Sequence, residues 1–188
     1  MDRKQQILDA AERLVRARGF DGFSYGDLEA EIGIRKASIH HHFPSKAELG
    51  LALTARYRGQ VVGKLGAVAA RRTRAADRLA EYLDLYREAL AGGEQVCLCV
   101  ALSAGRDSLN PDTLAELDAF NAASLDWLTA TFKLARSDGS IKGVEEPGLE
   151  AAAALALVEG AQLIARAAGD VLKFDLATAQ LKARIRLV

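Results

Sequence analysis

Pro44 stops any helix from running past Phe43, since it carries no backbone N–H and biases the residue before it away from helical geometry. Upstream, Gly33 ends the preceding apolar pattern. The stretch "GIRKASIHHHFPSK" therefore has room for one helix of about two turns, 36–43, with Ile39 and Phe43 four apart on its inner face.

The rest of the chain is punctuated in the same way. Residues 3–18 place Ile7, Ala11, Leu14 and Val15 on one face and stop at Gly19. Ser24 opens "SYGDLEAEIG", an S-x-x-D cap followed by Leu28 and Ile32, and Gly33 closes it. Ser45 and Glu48 form a capping box, after which Leu49, Leu53 and Tyr57 carry a long helix toward Arg71, Arg72 and Arg74. Leu79, Tyr82, Leu83, Tyr86 and Leu90 make an amphipathic stripe ended by Gly92-Gly93, and a shorter helix is expected over 96–104. Asn110-Pro111 starts a helix through Leu114, Leu117, Phe120, Leu125, Leu128 and Phe132, which "SDGSIKG" breaks. Pro147 opens an alanine-rich helix to about 168, apolar around its circumference and so expected to be buried, and 171–188 is expected to form one more. Two such helices at a C-terminus often pair with their copies in a dimer. With half of the residues hydrophobic and β-branched runs scarce, the fold expected is all-α.

No run of about 18 uninterrupted apolar residues occurs, and Asp2, Arg3 and Lys4 open an amphipathic pattern, so a cytoplasmic protein with no membrane segment is expected. Cys97 and Cys99 are too few and too close for a secreted disulfide framework and are read as reduced thiols. The balance of 25 basic and 25 acidic side chains hides an asymmetry: residues 1–72 hold thirteen Lys/Arg against eight Asp/Glu, and 73–188 hold twelve against seventeen. A basic end on an acidic remainder suits a polyanionic partner.

Two short helices joined by "GIR", the second one basic, match a helix-turn-helix. At about 100° per residue, His41 points away from the Ile39–Phe43 direction, Ala37 and Ser38 lie near it, and His40 and His42 fall on the flanks. Adjacent histidines thus diverge, whereas one metal prefers ligands at i and i+4. No nucleophile or carboxylate partner marks a catalytic imidazole. A solvated, mildly basic helix and a major-groove helix remain, and the agreement of motif, basic flanks and charge asymmetry favours the groove. There, Arg35 neutralises phosphates, Lys36 reaches a phosphate or guanine, Ala37 permits close approach, and Ser38 and His41 bond base edges. Lys46, in the first turn of its helix, opposes the helix dipole, which a phosphate would rationalise.

The segment "FSYGDLEAEIGIRKASIHHHFPSKAELGLAL" strongly resembles the DNA-binding segment of TetR-family transcriptional regulators, and the likeness by motif covers about residues 3–58. The resemblance implies an all-α homodimer. In it, a three-helix helix-turn-helix domain, 1–47, reads double-stranded operator DNA, and a helical domain, 48–188, binds a small effector and dimerises through its last two long helices. It also implies that Ser24 and Tyr25 face phosphates, that Lys36, Ala37, Ser38 and His41 lie in the groove, and that Lys46 contacts the backbone. His40 stands where the family usually has tyrosine, often a phosphate contact, and Glu29 where a small alanine is common. The function implied is repression relieved when a ligand changes the spacing of the two reading heads.

In the C-terminal part, Tyr82, Tyr86, Phe120 and Trp127 either line an effector pocket or are ordinary core aromatics, which look identical in sequence. "VCLCV" follows Gly92-Gly93 near a helix start, where the dipole could activate a thiol toward oxidants or electrophiles, so Cys97 is a candidate ligand residue. A buried structural role is the other reading. A small helical enzyme lacks any recognisable phosphate loop, H-E-x-x-H or G-x-S-x-G, so no enzyme, cofactor or metal is expected. A helical carrier without specific DNA binding has no need of the basic end.

Overall fold

The computed structural model describes residues 2–186, and these fold into helices with no strand among them. In order they are α1 (Arg3–Arg18), α2 (Tyr25–Ile32), α3 (Lys36–His42), α4 (Lys46–Arg71), α5 (Ala75–Glu88), α6 (Leu98–Ala104), α7 (Pro111–Asp138), α8 (Pro147–Ala168) and α9 (Leu172–Ala183). The chain divides into two compact units. One runs to Gly59 and takes in Leu98–Ala119; the other comprises Gln60–Cys97 and the residues from Phe120 onward.

In the first unit α1 packs on α2 and α6, and α2 on α3. Ile7, Ala11, Val15, Leu28, Ile39, Leu49 and Leu53 are fully buried and form its core. Arg56 of α4 ties α4 to α1, reaching Asp9 at 2.6 Å and Glu12 at 2.9 Å, and Arg58 holds Glu116 of α7 at 2.7 Å. Gly50 has a structural reason inside a helix: a Cβ there would lie 3.0 Å from the Phe20 ring, which packs on it.

In the second unit α8 and α9 pack extensively on each other, and α5 packs on both. Arg87 of α5 grips the Asp175 carboxylate of α9 with two bonds, 2.7 and 2.8 Å long. The first turn of α5 lacks a cap of its own, and the end of α7 supplies one: Ala75 N–H donates to Asp138 Oδ2 (2.8 Å) and Ala76 N–H to Ser140 Oγ (2.9 Å). The positive φ of Gly93 answers a close approach, because a Cβ there would sit 2.7 Å from the Gly169 backbone.

Three expectations shift. The short helix starts at Leu98 rather than 96, and the Cys97 N–H just ahead of it is taken by the side chain of Gln162. The last helix ends at Ala183, where Arg184 turns to bond Glu150 and the carbonyls of Lys142 and Gly143, and Ile185 pairs with Ile141; Val188 lies outside the described residues. The apolar helix α8 is only partly buried. Leu149, Leu163 and Ile164 on it, with Leu172 and Leu176 on α9, remain 48–73 % exposed. By length and composition α8 is also apolar enough to cross a membrane, a property that core helices share.

Candidate nucleic-acid interface

The pair α2–α3 is built from its ends inward. Ser24 Oγ accepts the Gly26 and Asp27 N–H groups, while Asp27 Oδ2 accepts from Ser24 N–H at 2.8 Å and from its hydroxyl at 2.6 Å, a complete capping box. Those bonds from Ser24, with Arg18 nearby, hold the Asp27 carboxyl below its ordinary value. Gly33 takes the left-handed conformation that ends α2 and turns the chain. Arg35 offers α3 no side-chain cap, and Glu29 of α2 substitutes: its Oε1 accepts the Lys36 N–H at 3.4 Å. The carboxylate that looked out of place in α2 therefore meets the uncapped start of α3.

On α3, Ile39 and Phe43 are buried, Arg35, Lys36, Ala37, His40 and His41 are exposed, and Ser38 and His42 are half-buried. Lys36 lies along the first turn of α2, where a Cβ on Gly26 would sit 3.2 Å from its Cε and Nζ. The His40 ring packs on Tyr25, centroids 4.7 Å apart, and its Nδ1 is 3.2 Å from the Pro44 carbonyl. A carbonyl only accepts, so Nδ1 carries the hydrogen, and neutral His40 presents Nε2 as an acceptor. No group of three or more His, Cys, Asp or Glu able to hold a metal is assembled among the described residues.

Two residues expected to face phosphates have partners inside the protein. Tyr25 is buried and its hydroxyl donates to the Phe43 carbonyl at 2.9 Å, which pins the end of α3. Burial, with Glu48 nearby, pushes that hydroxyl up to about 12. Lys46 donates to the Phe23 carbonyl at 2.7 Å and lies over the Phe20 and Phe23 rings, 4.8 and 4.5 Å from their centroids. Desolvation pulls its ammonium down against the opposing pull of Asp21 and Asp27. Its position in the first turn of α4 thus has an internal reason that helix-dipole logic alone could not supply.

In the second unit the structure brings three of the effector candidates together. Tyr82 stacks on Trp127, centroids 5.7 Å apart at 17°, and lies 4.8 Å from Tyr86. Trp127 gives its indole N–H to the Leu65 carbonyl at 2.8 Å. Burial pushes the Tyr82 hydroxyl well up, with Tyr86, Glu159 and Cys97 close enough to act on it. Phe120 and both cysteines are buried, and burial removes the exposure that a sensing thiol needs. Two groups went unnoticed in the sequence. Gln162 is fully buried, its Oε1 accepting the Cys97 N–H at 2.7 Å and its Nε2 facing no acceptor. Glu159 is half-buried, and desolvation lifts its carboxyl above the ordinary value. Their signal was present: two polar residues three apart inside an alanine-rich helix. A separate groove of about 420 Å³ between α4 and α5 is lined by Lys64, Arg71, Glu81, Asp84 and Glu88 rather than by the aromatics.

Residues 7–53 match the family model of bacterial regulatory proteins of the tetR family. Among curated proteins, the HTH-type transcriptional repressor AcnR of Corynebacterium diphtheriae is 39 % identical over 51 residues, 27 % of this chain and 27 % of that protein. The sequence match therefore spans about a quarter of that relative's length. Solved structures match throughout. NemR of E. coli in its reduced form is similar at 26 % identity with a TM-score of 0.82, covering 98 % of both chains. A TetR-family transcriptional regulator from Agrobacterium tumefaciens is similar at 30 % identity with a TM-score of 0.91, covering 98 % of this chain and 97 % of that one. With the helix-turn-helix and the helical remainder both matched, this chain belongs to the TetR family of bacterial transcriptional regulators.

Proposed function

We propose that the protein is a ligand-responsive repressor in the cytoplasm that binds a palindromic operator as a homodimer and leaves it when a small molecule binds the C-terminal part. The observation that carries the DNA-reading part is the outer face of α3, where Arg35, Lys36, Ala37, His40 and His41 stand exposed opposite Ile39 and Phe43. Residues 1–47 act as the reading head and 48–188 as the effector and dimerisation region. Lys36 and Arg35 neutralise phosphates, Ser38 and His41 meet base edges beside the small Ala37, and His40 contacts the flank. Ser24, Tyr25 and Lys46 act chiefly by fixing α2, α3 and the start of α4 in place, and Ser24 stays exposed enough to reach a phosphate.

A second copy covers the leucine-rich face of α8 and α9. That proposal accounts for five large apolar side chains left in water on two helices that pack together, more than scattered surface residues require. Tyr82, Tyr86 and Trp127 form one wall of the effector site, with Cys97 contributing its backbone through Gln162.

The test is selection from a randomised duplex library at near-physiological salt, followed by sequencing of the retained DNA. An enriched inverted repeat is expected, one half-site for each head. Retention without any enriched sequence, lost on a modest rise in salt, would leave only nonspecific electrostatics and favour a carrier.

A further inference from the structure

All three histidines of the chain stand in one run, His40 to His42, at the end of α3. Histidine is the side chain that ordinarily changes charge between about pH 5 and 8, so whatever charge the histidines gain or lose there falls on the DNA-reading head. The three are not equivalent. His41 and His42 meet edge to face, centroids 5.4 Å apart, and His42 is half-buried. His40 is exposed and held in place by the head: its ring packs on Tyr25 and its Nδ1 donates to the Pro44 carbonyl. With Nδ1 committed, Nε2 has opposite roles in the two protonation states. In the neutral ring it is a lone pair, which a phosphate oxygen repels. In the protonated ring it is an N–H, which a phosphate oxygen accepts.

Each neighbouring element brings its own polar or charged group to this corner. From α2, Tyr25 gives its hydroxyl to the Phe43 carbonyl, and from α4, Glu48 acts on that hydroxyl and accepts from Ser45 Oγ at 3.3 Å. From α1, the Lys4 ammonium stands 5.6 Å over the Phe43 ring. On α3 itself Lys36 lies one turn earlier and His41 follows in sequence. Among the described residues no carboxylate forms an ion pair with His40, so the counter-ion of its charged ring is left to come from outside the protein. At about 100° from the buried Ile39, His40 stands on the flank of α3. The flank of a helix lying in the major groove faces the sugar-phosphate backbone rather than base edges. Resting on the DNA-reading function above, we infer that His40 is a proton-linked phosphate contact: each head takes up one proton from solvent at His40 Nε2 as it binds a duplex, and affinity for DNA falls as pH rises.

The experiment measures binding of the full-length protein to a fluorescein-labelled duplex of arbitrary sequence by anisotropy, at low salt, from about pH 6 to about pH 8. A phosphate in contact favours a charged imidazole by about one pKa unit or more, so affinity is expected to fall about tenfold for each bound head across that range. His40→Gln can still donate to Pro44 but never charges, and it should bind at the lower pH as weakly as the unaltered protein does at the higher. His40→Lys stays charged and should bind evenly throughout. His41→Gln should retain the pH dependence, because base reading plays no part on an arbitrary duplex. In the unaltered protein, proton–nitrogen correlation spectra should show neutral His40 as the Nδ1–H tautomer when free, and doubly protonated at that same pH when DNA is bound. A flat affinity profile overturns the inference and leaves DNA binding standing. So does a profile that persists in His40→Gln, which would place the proton on another group. Absence of any binding at the lower pH would remove the DNA-reading function together with the inference.

Discussion

The α2–α3 head and the α8–α9 pair solve opposite problems. The head consists of helices too short to stand alone, and every critical end is tied: Ser24 and Asp27 close α2, Glu29 caps α3, and Tyr25 and Lys46 hold the carbonyls of Phe43 and Phe23. Its outer face is left polar and basic. The α8–α9 pair is long and well packed, yet it leaves an apolar face in water and a buried amide without an acceptor. Satisfied polar groups beneath an exposed polar face describe a surface made for a polyanion. The leucines left in water are what the proposed second copy would cover.

The sharpest way to break this contrast is to charge the apolar face. Leu172→Glu with Leu176→Glu is expected to yield a monomer by sedimentation and to weaken binding of the selected operator by about a hundredfold or more, because two linked half-sites become one. A dimer that persists would remove the pairing role from that face.

The head divides next. Lys36→Ala should weaken binding to selected and scrambled duplexes alike and reduce the salt slope by about one unit per head. His41→Ala should cost about 1–3 kcal/mol at one base position per half-site and leave scrambled DNA nearly unaffected. Equal, sequence-blind losses from both would take base reading away from His41.

Stability changes separate the two regions further. Gln162→Ala leaves the buried Cys97 N–H without its acceptor and should lower stability by about 1–3 kcal/mol in urea unfolding. Ser24→Ala removes one cap and should cost about 1 kcal/mol. It should also bring the Asp27 carboxyl back toward its ordinary value, visible by NMR titration.

The smallest effect has a definite sign. Burial raises the Glu159 carboxyl in the folded state, so the native form holds its proton longer than the unfolded one. Stability from this group is therefore fully present below the unfolded value of about 4.3 and is lost as pH rises through the folded value. Glu159→Gln should leave the melting temperature nearly unchanged at pH 4 and raise it slightly at pH 7. A variant that is less stable at pH 7 would mean that the ionised carboxylate has a stabilising partner.

Much of the head was legible because its determinants are local. The Ser24 cap, the Gly33 turn and the stop at Pro44 each depend on residues within one helical turn, and the Ile39–Phe43 spacing placed His41 outward before any tertiary contact was known. Lys46 shows the limit: read from the helix dipole, it wanted a phosphate, yet the Phe23 carbonyl, 23 residues away in sequence, supplies its partner. In the second unit the aromatic stripe was legible, and so was the pair of polar residues Glu159 and Gln162 in an alanine-rich helix, but the partner of Gln162 was not, because it is the backbone of Cys97, 65 residues distant.

The amino-acid sequence by itself determined where the first three helices begin and end within a few residues, which face of α3 points outward, and that one end of the chain is basic. These follow from backbone periodicity, capping and formal charge, all set within a few residues. Tertiary structure alone decided that Glu29 caps α3, that Asp138 and Ser140 cap α5, that Tyr82 meets Trp127, and that the Gln162 amide oxygen takes the Cys97 N–H. Each of those is a short-range polar or ring contact between segments far apart in sequence, so it exists only once packing has brought the helices together.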